Sequence, residues 1–394
     1  MLERVQAAPP DPILGLSSAF AADDRPNKLN LGVGEYRDAT GATPVLDVVR
    51  TAEARVYDAP PNKRYLPIDG TPEYGSLVRE LLFGAGKGED ETTVTVQAPG
   101  GTGALRVAGD FISRHFPGAR LWLSEPTWAN HPKIFEAAGL TTAAYAYYDA
   151  ASHGLDADRL LAALNQIEAG DVVLLHACCH NPSGVDPDLD TWKAIGQVLA
   201  KRGILPLLDF AYQGFGEGLE EDAAGLRAMR ELVPEMLIAS SFSKNFGLYQ
   251  DRVGALTVVS ADAGAAASVL SQLKTCVRTN FSNPPAHGSA VVTTILSDSE
   301  LRKQWLEELT RMRERINGMR GALVDGLRQH GASQDFSFIA RQKGMFSFSG
   351  LDKSQVERLK SEHAVYIVGS GRINVAGVTP DRLDTLCKAI VSVM

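Results

Sequence analysis

The middle of the chain alternates short apolar runs with longer amphipathic segments. Segments with helical spacing, such as Asp190 to Arg202, lie between several of the apolar runs. This alternation predicts a mainly parallel β-sheet covered by helices. The predicted strands are residues 93–97, 120–124, 172–176, 204–209, 236–240 and 254–259.

A long helical pattern then runs from about Ser299 to Gln329. Ser297, followed three residues later by Glu300, predicts a capping box at its start. The segment Ala8–Pro12 is rich in proline and predicts an extended N-terminal arm. The apolar positions of the long helix recur at steps of three or four: Leu301, Trp305, Leu309, Met312, Ile316, Met319, Leu323 and Leu327.

Composition narrows the class of protein but not its chemistry. A chain of 394 residues predicts two or three domains, and 44% hydrophobic with 22% charged residues is typical of globular proteins. The net charge of −8 disfavours nucleic-acid and anionic-membrane partners. We expect no membrane span and no signal peptide. Four cysteines without a disulfide framework favour a cytoplasmic location.

The strongest chemical signal is Lys244, within the run Ser240–Gly247 and eight positions before Arg252. A lysine amine forms a Schiff base with an aldehyde. Neighbouring serines and a planar guanidinium hold phosphate. An aldehyde and a phosphate on one small molecule indicate pyridoxal phosphate, although a polar surface loop would have the same residues.

Asp209 follows the apolar run Ile204–Leu208 and so lies at the carboxyl end of a predicted strand, where ligands bind in α/β sheets. A carboxylate there can pair with a protonated pyridine nitrogen and keep the ring an electron sink. Tyr212, three residues on, can reach the ring hydroxyl. The alternative is that Asp209 is a helix N-cap.

Two further turns follow predicted strands. Gly100–Arg106 opens a helix after residues 93–97, and such a turn presents N–H groups to phosphate, although it is equally a plain strand-to-helix turn. The run His176–Gly184 contains two histidines and the adjacent Cys178 and Cys179. Because no second Cys/His cluster has ligand spacing, we expect no metal site. The Asn181–Pro182 step predicts a tight turn, with a cis bond as one option, that aims the Asn181 amide into the site.

Taken together, the ordered motifs from Leu31 to Asn374 resemble those of the class I aminotransferases of the aspartate/aromatic type, which are fold-type I pyridoxal-phosphate enzymes. The matching segments are Leu31–Gly34, Tyr65–Ile68, Gly101–Gly103, Trp128–His131, Asn181–Pro182, Asp209 with Tyr212, Ser243–Gly247, Arg252, Ser282–Pro285 and Gly371–Asn374.

The resemblance implies an α/β fold with a large domain, in which helices flank a mainly parallel seven-stranded sheet, and a smaller α/β domain. It places the arm at residues 1–12, the small domain at 13–45 and 311–394, and the large domain at 46–310. It also implies a homodimer with shared active sites, in which Tyr65 and Arg278 reach the partner's site.

Roles follow from the same resemblance. Lys244, Asp209 and Tyr212 are the expected catalytic residues, and His131 is expected to orient Asp209. The cofactor-binding set is Gly101, Thr102, Trp128, Asn181, Asp209, Tyr212, Ser241, Ser243, Lys244 and Arg252, with Tyr65 from the partner. The substrate-binding set is Gly34, Trp128, Asn181, Arg278 and Arg372, in which Arg372 binds the α-carboxylate and Arg278 a distal carboxylate.

The reaction implied is reversible transamination through a Schiff base on Lys244, with aspartate and 2-oxoglutarate as first choice because Asn283–Gly288 resembles the aspartate branch. An aromatic aminotransferase that also accepts dicarboxylates is the alternative. A non-catalytic pyridoxal-phosphate-binding regulator and a dinucleotide-dependent dehydrogenase are alternatives of other classes. Glu35 departs from the family, which more often has a small or aliphatic residue near the substrate entrance.

Overall fold

The protein is described by a computed structural model that covers residues 1–7, 14–60 and 63–394. Of the arm predicted at residues 1–12, the proline-rich stretch Ala8–Pro12 lies outside the described residues. Leu2–Arg4 form one turn of 3-10 helix.

The described residues form α-helices of five to 31 residues. Their bounds are α1 Leu14–Ala22, α2 Asp47–Asp58, α3 Pro72–Phe83, α4 Gly100–His115, α5 His131–Ala137, α6 Ala157–Leu164, α7 Leu189–Arg202, α8 Ala224–Arg230, α9 Ala263–Asn280, α10 His287–Ser297, α11 Ser299–Gln329, α12 Ser337–Arg341, α13 Lys353–His363 and α14 Pro380–Ser392.

The β-strands include all six of the predicted ones, with ends that shift by at most two residues. Their bounds are β1 Leu29–Asn30, β2 Thr93–Pro99, β3 Arg120–Glu125, β4 Thr141–Ala146, β5 Tyr148–Asp149, β6 Gly154–Leu155, β7 Val172–His176, β8 Leu205–Phe210, β9 Met236–Ser241, β10 Val253–Val259, β11 Phe346–Phe348, β12 Val365–Tyr366 and β13 Arg372–Asn374.

Seven strands form one sheet in the order β2-β10-β9-β8-β7-β3-β4, which confirms the predicted mainly parallel seven-stranded sheet. Only β10 runs antiparallel, to both β2 and β9. The parallel register places His176 opposite Asp209 and Phe210 opposite Ser240. The carboxyl ends of β7, β8 and β9 therefore meet at one edge, as the position of a ligand site in such sheets requires.

The sheet belongs to a compact unit of residues 44–181 and 185–314. Every residue of β7, β9 and β10 is buried, as expected for strands that helices cover on both faces. Helix α4 buries its apolar face, which includes Ala104, Phe111 and Ile112, in the same core as strand residues such as Leu207 and Leu256. This core fixes the strand ends that hold the site.

A second unit consists of residues 1–43, 182–184 and 315–394. It contains the parallel pair β1–β12 and the antiparallel pair β11–β13. Its own core includes Leu323 of α11 together with Val356, Ile373 and Leu386. Helix α11 is divided between the two units, with residues from Arg315 onward in the second unit.

The start of α11 corrects one prediction. Ser297 ends α10, and its hydroxyl donates to the Thr293 carbonyl rather than capping the next helix. The Asp298 carboxylate instead accepts the N–H groups of Glu300 and Leu301, at 2.9 and 3.0 Å. The capping signal therefore lies one residue later than the sequence suggested, because α10 and α11 follow each other almost without a loop.

Two other observations concern the backbone. The cis peptide bond in the described part of the chain is Glu125–Pro126, so the cis option at Asn181–Pro182 is wrong. No helix in the described ranges combines the length and the apolar character that crossing a bilayer requires.

Candidate active site

Lys244 lies in the loop that leaves the carboxyl end of β9. Its Nζ stands 5.0 Å from the centre of the Tyr212 ring, and Tyr212 itself is buried in the turn after β8. Burial lowers the pKa of Lys244 from 10.5 to about 8; Asp209 opposes this shift and Arg252 adds to it. The amine therefore loses its proton much closer to neutral pH than an ordinary lysine does, as a nucleophile or general base requires.

An anion cradle is formed where β9 and β10 meet the N-terminus of α4. The hydroxyls of Ser241 and Ser243 lie 3.3 Å apart, and Arg252 Nη1 donates to Ser243 Oγ at 3.4 Å. Gly100, at φ +74°, lies so close to this guanidinium that a Cβ would collide with it. A Cβ on Gly101 would stand 3.1 Å from that of Ser241. The turn thus brings N–H groups, hydroxyls and one cation together.

Asp209, next to the end of β8, is buried and bonded to His131. His131 Nε2 donates to Asp209 Oδ2 at 3.0 Å, and His131 is itself fully buried at the start of α5. Burial alone would raise the pKa of Asp209, but the hydrogen bond from His131, with His176 and Lys244 nearby, brings the pKa below its ordinary value. The buried carboxyl is therefore ionised.

A chain of hydrogen bonds extends from Asp209 through Thr127. Thr127 Oγ1 lies 2.8 Å from His131 Nδ1 and 3.1 Å from His176 Nε2. The Asn181 N–H donates to His176 Nδ1 at 3.5 Å. One arrangement satisfies every atom: His176 Nε2–H donates to Thr127, and the Thr127 hydroxyl donates to His131 Nδ1. In this arrangement His131 Nε2–H faces Asp209.

Electrostatics agree with this assignment. Burial lowers the pKa of His176 to about 3, with His131 adding to the shift and Asp209 opposing it. Burial likewise holds the pKa of His180 well below its ordinary value. His180 stacks on Tyr147 at 4.1 Å and shares a 3.0 Å hydrogen bond with Ser124. Neither histidine carries charge into the site, and both position their neighbours.

Trp128 and Thr102 complete the predicted cofactor set of this unit. The Trp128 ring meets the His131 ring edge-on at 5.2 Å. Thr102 is exposed in the first turn of α4. Both residues lie on segments that border the strand ends described above.

The second unit holds Arg372 and Gly34. Arg372, at the start of β13, is 4% exposed, and its Nη2 donates to the Gly32 carbonyl at 2.6 Å. Its guanidinium also lies 4.1 Å from the centre of the Phe346 ring. A Cβ on Gly34 would stand 2.9 Å from the same ring, so Gly34 and Arg372 share one neighbour. The Glu35 carbonyl accepts from Asn374 Nδ2 at 2.8 Å.

Tyr65 and Arg278 lie on the surface of the chain. Tyr65 is 90% exposed, and Arg278 is exposed and bonded to Ser282. Asn283 Nδ2 donates to the Leu66 carbonyl at 2.8 Å, which ties the two segments together. The two residues predicted to reach a partner's site therefore share one exposed edge.

Sequence reasoning missed Thr127, which joins the two histidines. It lies directly before the Trp128–His131 segment, and a hydroxyl residue beside a candidate histidine is the signal that could have identified it. Sequence reasoning also missed the partners of the run Cys178–His180: Asp186, which accepts the Cys179 N–H, and Ser124, which is bonded to His180.

Comparison with known proteins places this geometry in a family. The chain matches the family "Aminotransferase class I and II" over residues 26–390. It is 55% identical to an aspartate aminotransferase of Salmonella typhi, over 100% of both chains. An aromatic-amino-acid aminotransferase of Pseudomonas aeruginosa is 49% identical, over 99% of this chain and 98% of the relative.

Solved structures agree. The crystal structure of an aromatic-amino-acid aminotransferase from Burkholderia pseudomallei, covalently bound to pyridoxal phosphate, has a TM-score of 0.97 at 47% identity and covers 100% of this chain and 99% of that one. The chain belongs to the class I pyridoxal-phosphate-dependent aminotransferases of the aspartate/aromatic type.

Proposed function

We propose that the chain transfers an amino group reversibly between L-aspartate and 2-oxoglutarate, giving oxaloacetate and L-glutamate. One arrangement carries the proposal: Lys244 follows β9, near Asp209 at the carboxyl end of β8 and Arg252 directly before β10, and burial there lowers the pKa of its amine to about 8. An amine, an ionised carboxylate and an anion cradle thus meet at the carboxyl edge of one sheet.

The residues present fit pyridoxal phosphate. The Ser241 and Ser243 hydroxyls, the Arg252 fork and the N-terminus of α4 would hold the phosphate, and glycines there keep side chains out of the cradle. Asp209, which His131 keeps ionised, would pair with the pyridine nitrogen. Tyr212 and Asn181, both buried after neighbouring strands, would bind the ring oxygen.

When bound, pyridoxal phosphate supplies an electron sink for the negative charge that develops at the substrate α-carbon. Lys244 Nζ removes the α-proton and later donates a proton back. Its lowered pKa favours both steps near neutral pH. The hydrogen-bonded chain from Asn181 to Asp209 holds a proton on His131 Nε2. Asp209 therefore stays a hydrogen-bond acceptor, available to the pyridine N–H of the cofactor.

Substrate recognition is assigned to two arginines. We assign the α-carboxylate to Arg372, whose buried guanidinium suits a bidentate pair. Arg278 is assigned to the distal carboxylate of a neighbouring subunit's substrate, because it is exposed on its own chain beside the equally exposed Tyr65. This assignment requires a homodimer with shared sites. We place the protein in the cytoplasm, where its four free cysteines stay reduced.

The runner-up is an aromatic aminotransferase that also accepts dicarboxylates. Its support is the 49% identity to an aromatic-amino-acid aminotransferase, against 55% to an aspartate aminotransferase. Arg278 does not separate the two, since a distal carboxylate is bound in both.

The experiment is to measure kcat/KM for aspartate, tyrosine and phenylalanine, each with 2-oxoglutarate, on cofactor-saturated enzyme. We expect aspartate to be favoured by about 100-fold or more, which corresponds to about 2.7 kcal/mol of transition-state discrimination. Comparable values would replace the proposal with the aromatic alternative and draw attention to Glu35. No turnover with any of the three would overturn both.

A further inference from the structure

Three buried donor groups meet outside the residues assigned to transamination. Cys178 and Cys179 follow β7, and Asp222 lies just before α8. One ligand atom from each of the three lies within 4.8 Å of the other two. The adjacent cysteines stand out in the sequence, but no metal site was expected there, because the third member, Asp222, comes from a distant segment.

The backbone explains how adjacent cysteines can face one point. Successive side chains of an extended strand point to opposite faces. Cys179 breaks this alternation with a φ of +52°, in the left-handed region. The N–H groups of Cys179 and His180 donate to the two oxygens of Asp186, at 2.7 and 2.8 Å, and so hold the turn in place. The two sulfur atoms are therefore preorganised on one side.

The third donor is equally well fixed. Asp222 Oδ2 accepts the N–H groups of Gly214 and Gly216, at 2.8 and 2.9 Å. Oδ1 accepts the N–H of Glu217 at 2.9 Å. These bonds hold the carboxylate beside the sulfur atoms. The group is 2–7% exposed, so water does not compete for its donor atoms.

We propose that Cys178, Cys179 and Asp222 form a buried site for a soft divalent cation, Zn²⁺ or Cd²⁺. Thiolate sulfur selects such cations over Mg²⁺ and Ca²⁺, and one carboxylate oxygen is compatible with Zn²⁺. Bonds of about 2.0–2.3 Å place tetrahedral donors roughly 3.3–3.8 Å apart, so shifts of about an ångström close the site. These three donors leave the fourth tetrahedral position open.

Cation binding at this site exchanges protons for the metal ion. Each cysteine loses its thiol proton to solvent as its sulfur–metal bond forms, and the Asp222 carboxylate donates a lone pair. No electron is transferred, and no oxidant is needed.

The test is a Cd²⁺ titration of the full-length, metal-stripped enzyme with pyridoxal phosphate bound. Its readouts are the ultraviolet sulfur-to-cadmium charge-transfer absorption and the cadmium that remains bound after gel filtration. We expect one Cd²⁺ per chain and the charge-transfer band. The double variant Cys178→Ser/Cys179→Ser should lose the band and bind Cd²⁺ at least about tenfold more weakly, a change of about 1.4 kcal/mol.

Cys276→Ser and Cys387→Ser are the matched controls, because both residues are buried cysteines outside the group. They should retain the band and the stoichiometry. Absence of a band from the wild type, or a band that the double variant keeps, overturns the site. Circular dichroism and the absorbance of bound cofactor establish that each variant is folded. The readout is independent of transamination, so its failure leaves the proposed function untouched.

Discussion

At the scale of single residues, the decisive feature is the amine of Lys244 in surroundings that disfavour its charge. Its folded pKa of about 8 lies below the value of 10.5 for an unperturbed lysine. Between these two values the unfolded chain binds more protons than the folded one, so stability rises with pH in that window. Below about pH 8 the full cost of charging the buried amine is present.

This cost predicts the behaviour of Lys244→Met in the cofactor-free protein. The variant should be more stable than the wild type at pH 7, and the difference should shrink by about 2 kcal/mol as the pH rises to about 10. The figure is reduced from the full shift because the side chain keeps some contact with solvent. Urea unfolding of both proteins at the two pH values measures it. A stability difference between the two proteins that stays constant with pH would refute the lowered pKa of Lys244.

Thr127 provides a second residue-scale prediction. Thr127→Val keeps the shape but removes the hydroxyl between His131 and His176. We expect a loss of about 1–3 kcal/mol in stability, since two buried nitrogen atoms lose a partner. We also expect a kcat about tenfold lower and a shifted pH profile, because His131 is released from one tautomer.

Ser124→Ala is the matched control for Thr127→Val. It removes the hydrogen bond to His180, which is not part of the chain to Asp209. It should leave the pH profile of kcat unchanged. Equal profiles for the two variants would show that Thr127 acts only in packing.

These residues also mark the limits of sequence reasoning. Asp209 was identified because it follows an apolar run at the edge where ligands bind, and Lys244 because serines and Arg252 lie close to it in the sequence. Thr127 and Asp222 were not identified, since their partners lie on other segments and no local spacing reveals them.

At the scale of elements, the N-terminus of α4 depends on glycine. Gly100→Ala would force a Cβ into the Arg252 guanidinium at a φ of +74°. We expect pyridoxal phosphate to bind about tenfold more weakly, because the displaced arginine no longer completes the cradle. Equilibrium dialysis or the cofactor absorbance gives the dissociation constant.

Gly118→Ala is the control, because Gly118 has a φ of +86° but open space around its Cβ position. It should carry a similar backbone strain of about 1–2 kcal/mol without any effect on the cofactor. Weaker cofactor binding by both variants alike would refute the specific role of Gly100.

Elements were predicted well where a pattern was strong. The runs that became β7 and β9 each begin with four apolar residues and were placed to within a residue, and α11 matches its predicted bounds. Strand β4, Thr141–Ala146, was missed because alanine and threonine at an exposed sheet edge lack a clear apolar pattern. The cap of α11 was misplaced because two helices abut there.

At the scale of the whole molecule, the proposed dimer makes a sharp prediction. Lys244→Ala and Arg278→Ala homodimers should each be nearly inactive toward aspartate. If Arg278 serves the partner's site, a hybrid dimer regains one intact site. Equal amounts of the two variants, reassorted through mild denaturation and refolding, should then recover about a quarter of the wild-type activity, since half of the dimers are hybrids with one intact site of two.

The outcome separates two architectures. Sites built within one chain would give no recovery, because every site would carry one of the two substitutions. From the sequence, active sites shared between subunits were expected only through the resemblance to the aminotransferase family. The structure adds that Tyr65 and Arg278 lie on one exposed edge, joined through Asn283 and Leu66.

The most direct test of the account is the half-reaction of Lys244→Ala with aspartate. The variant should still bind pyridoxal phosphate, because Arg252, the two serines and Asp209 remain. Rapid-mixing absorbance should show α-proton removal slowed by at least about 10⁴-fold, the upper range for general base catalysis, with partial rescue by added small amines. A half-reaction within about tenfold of the wild type would contradict the assignment of Lys244 as the proton-transferring base.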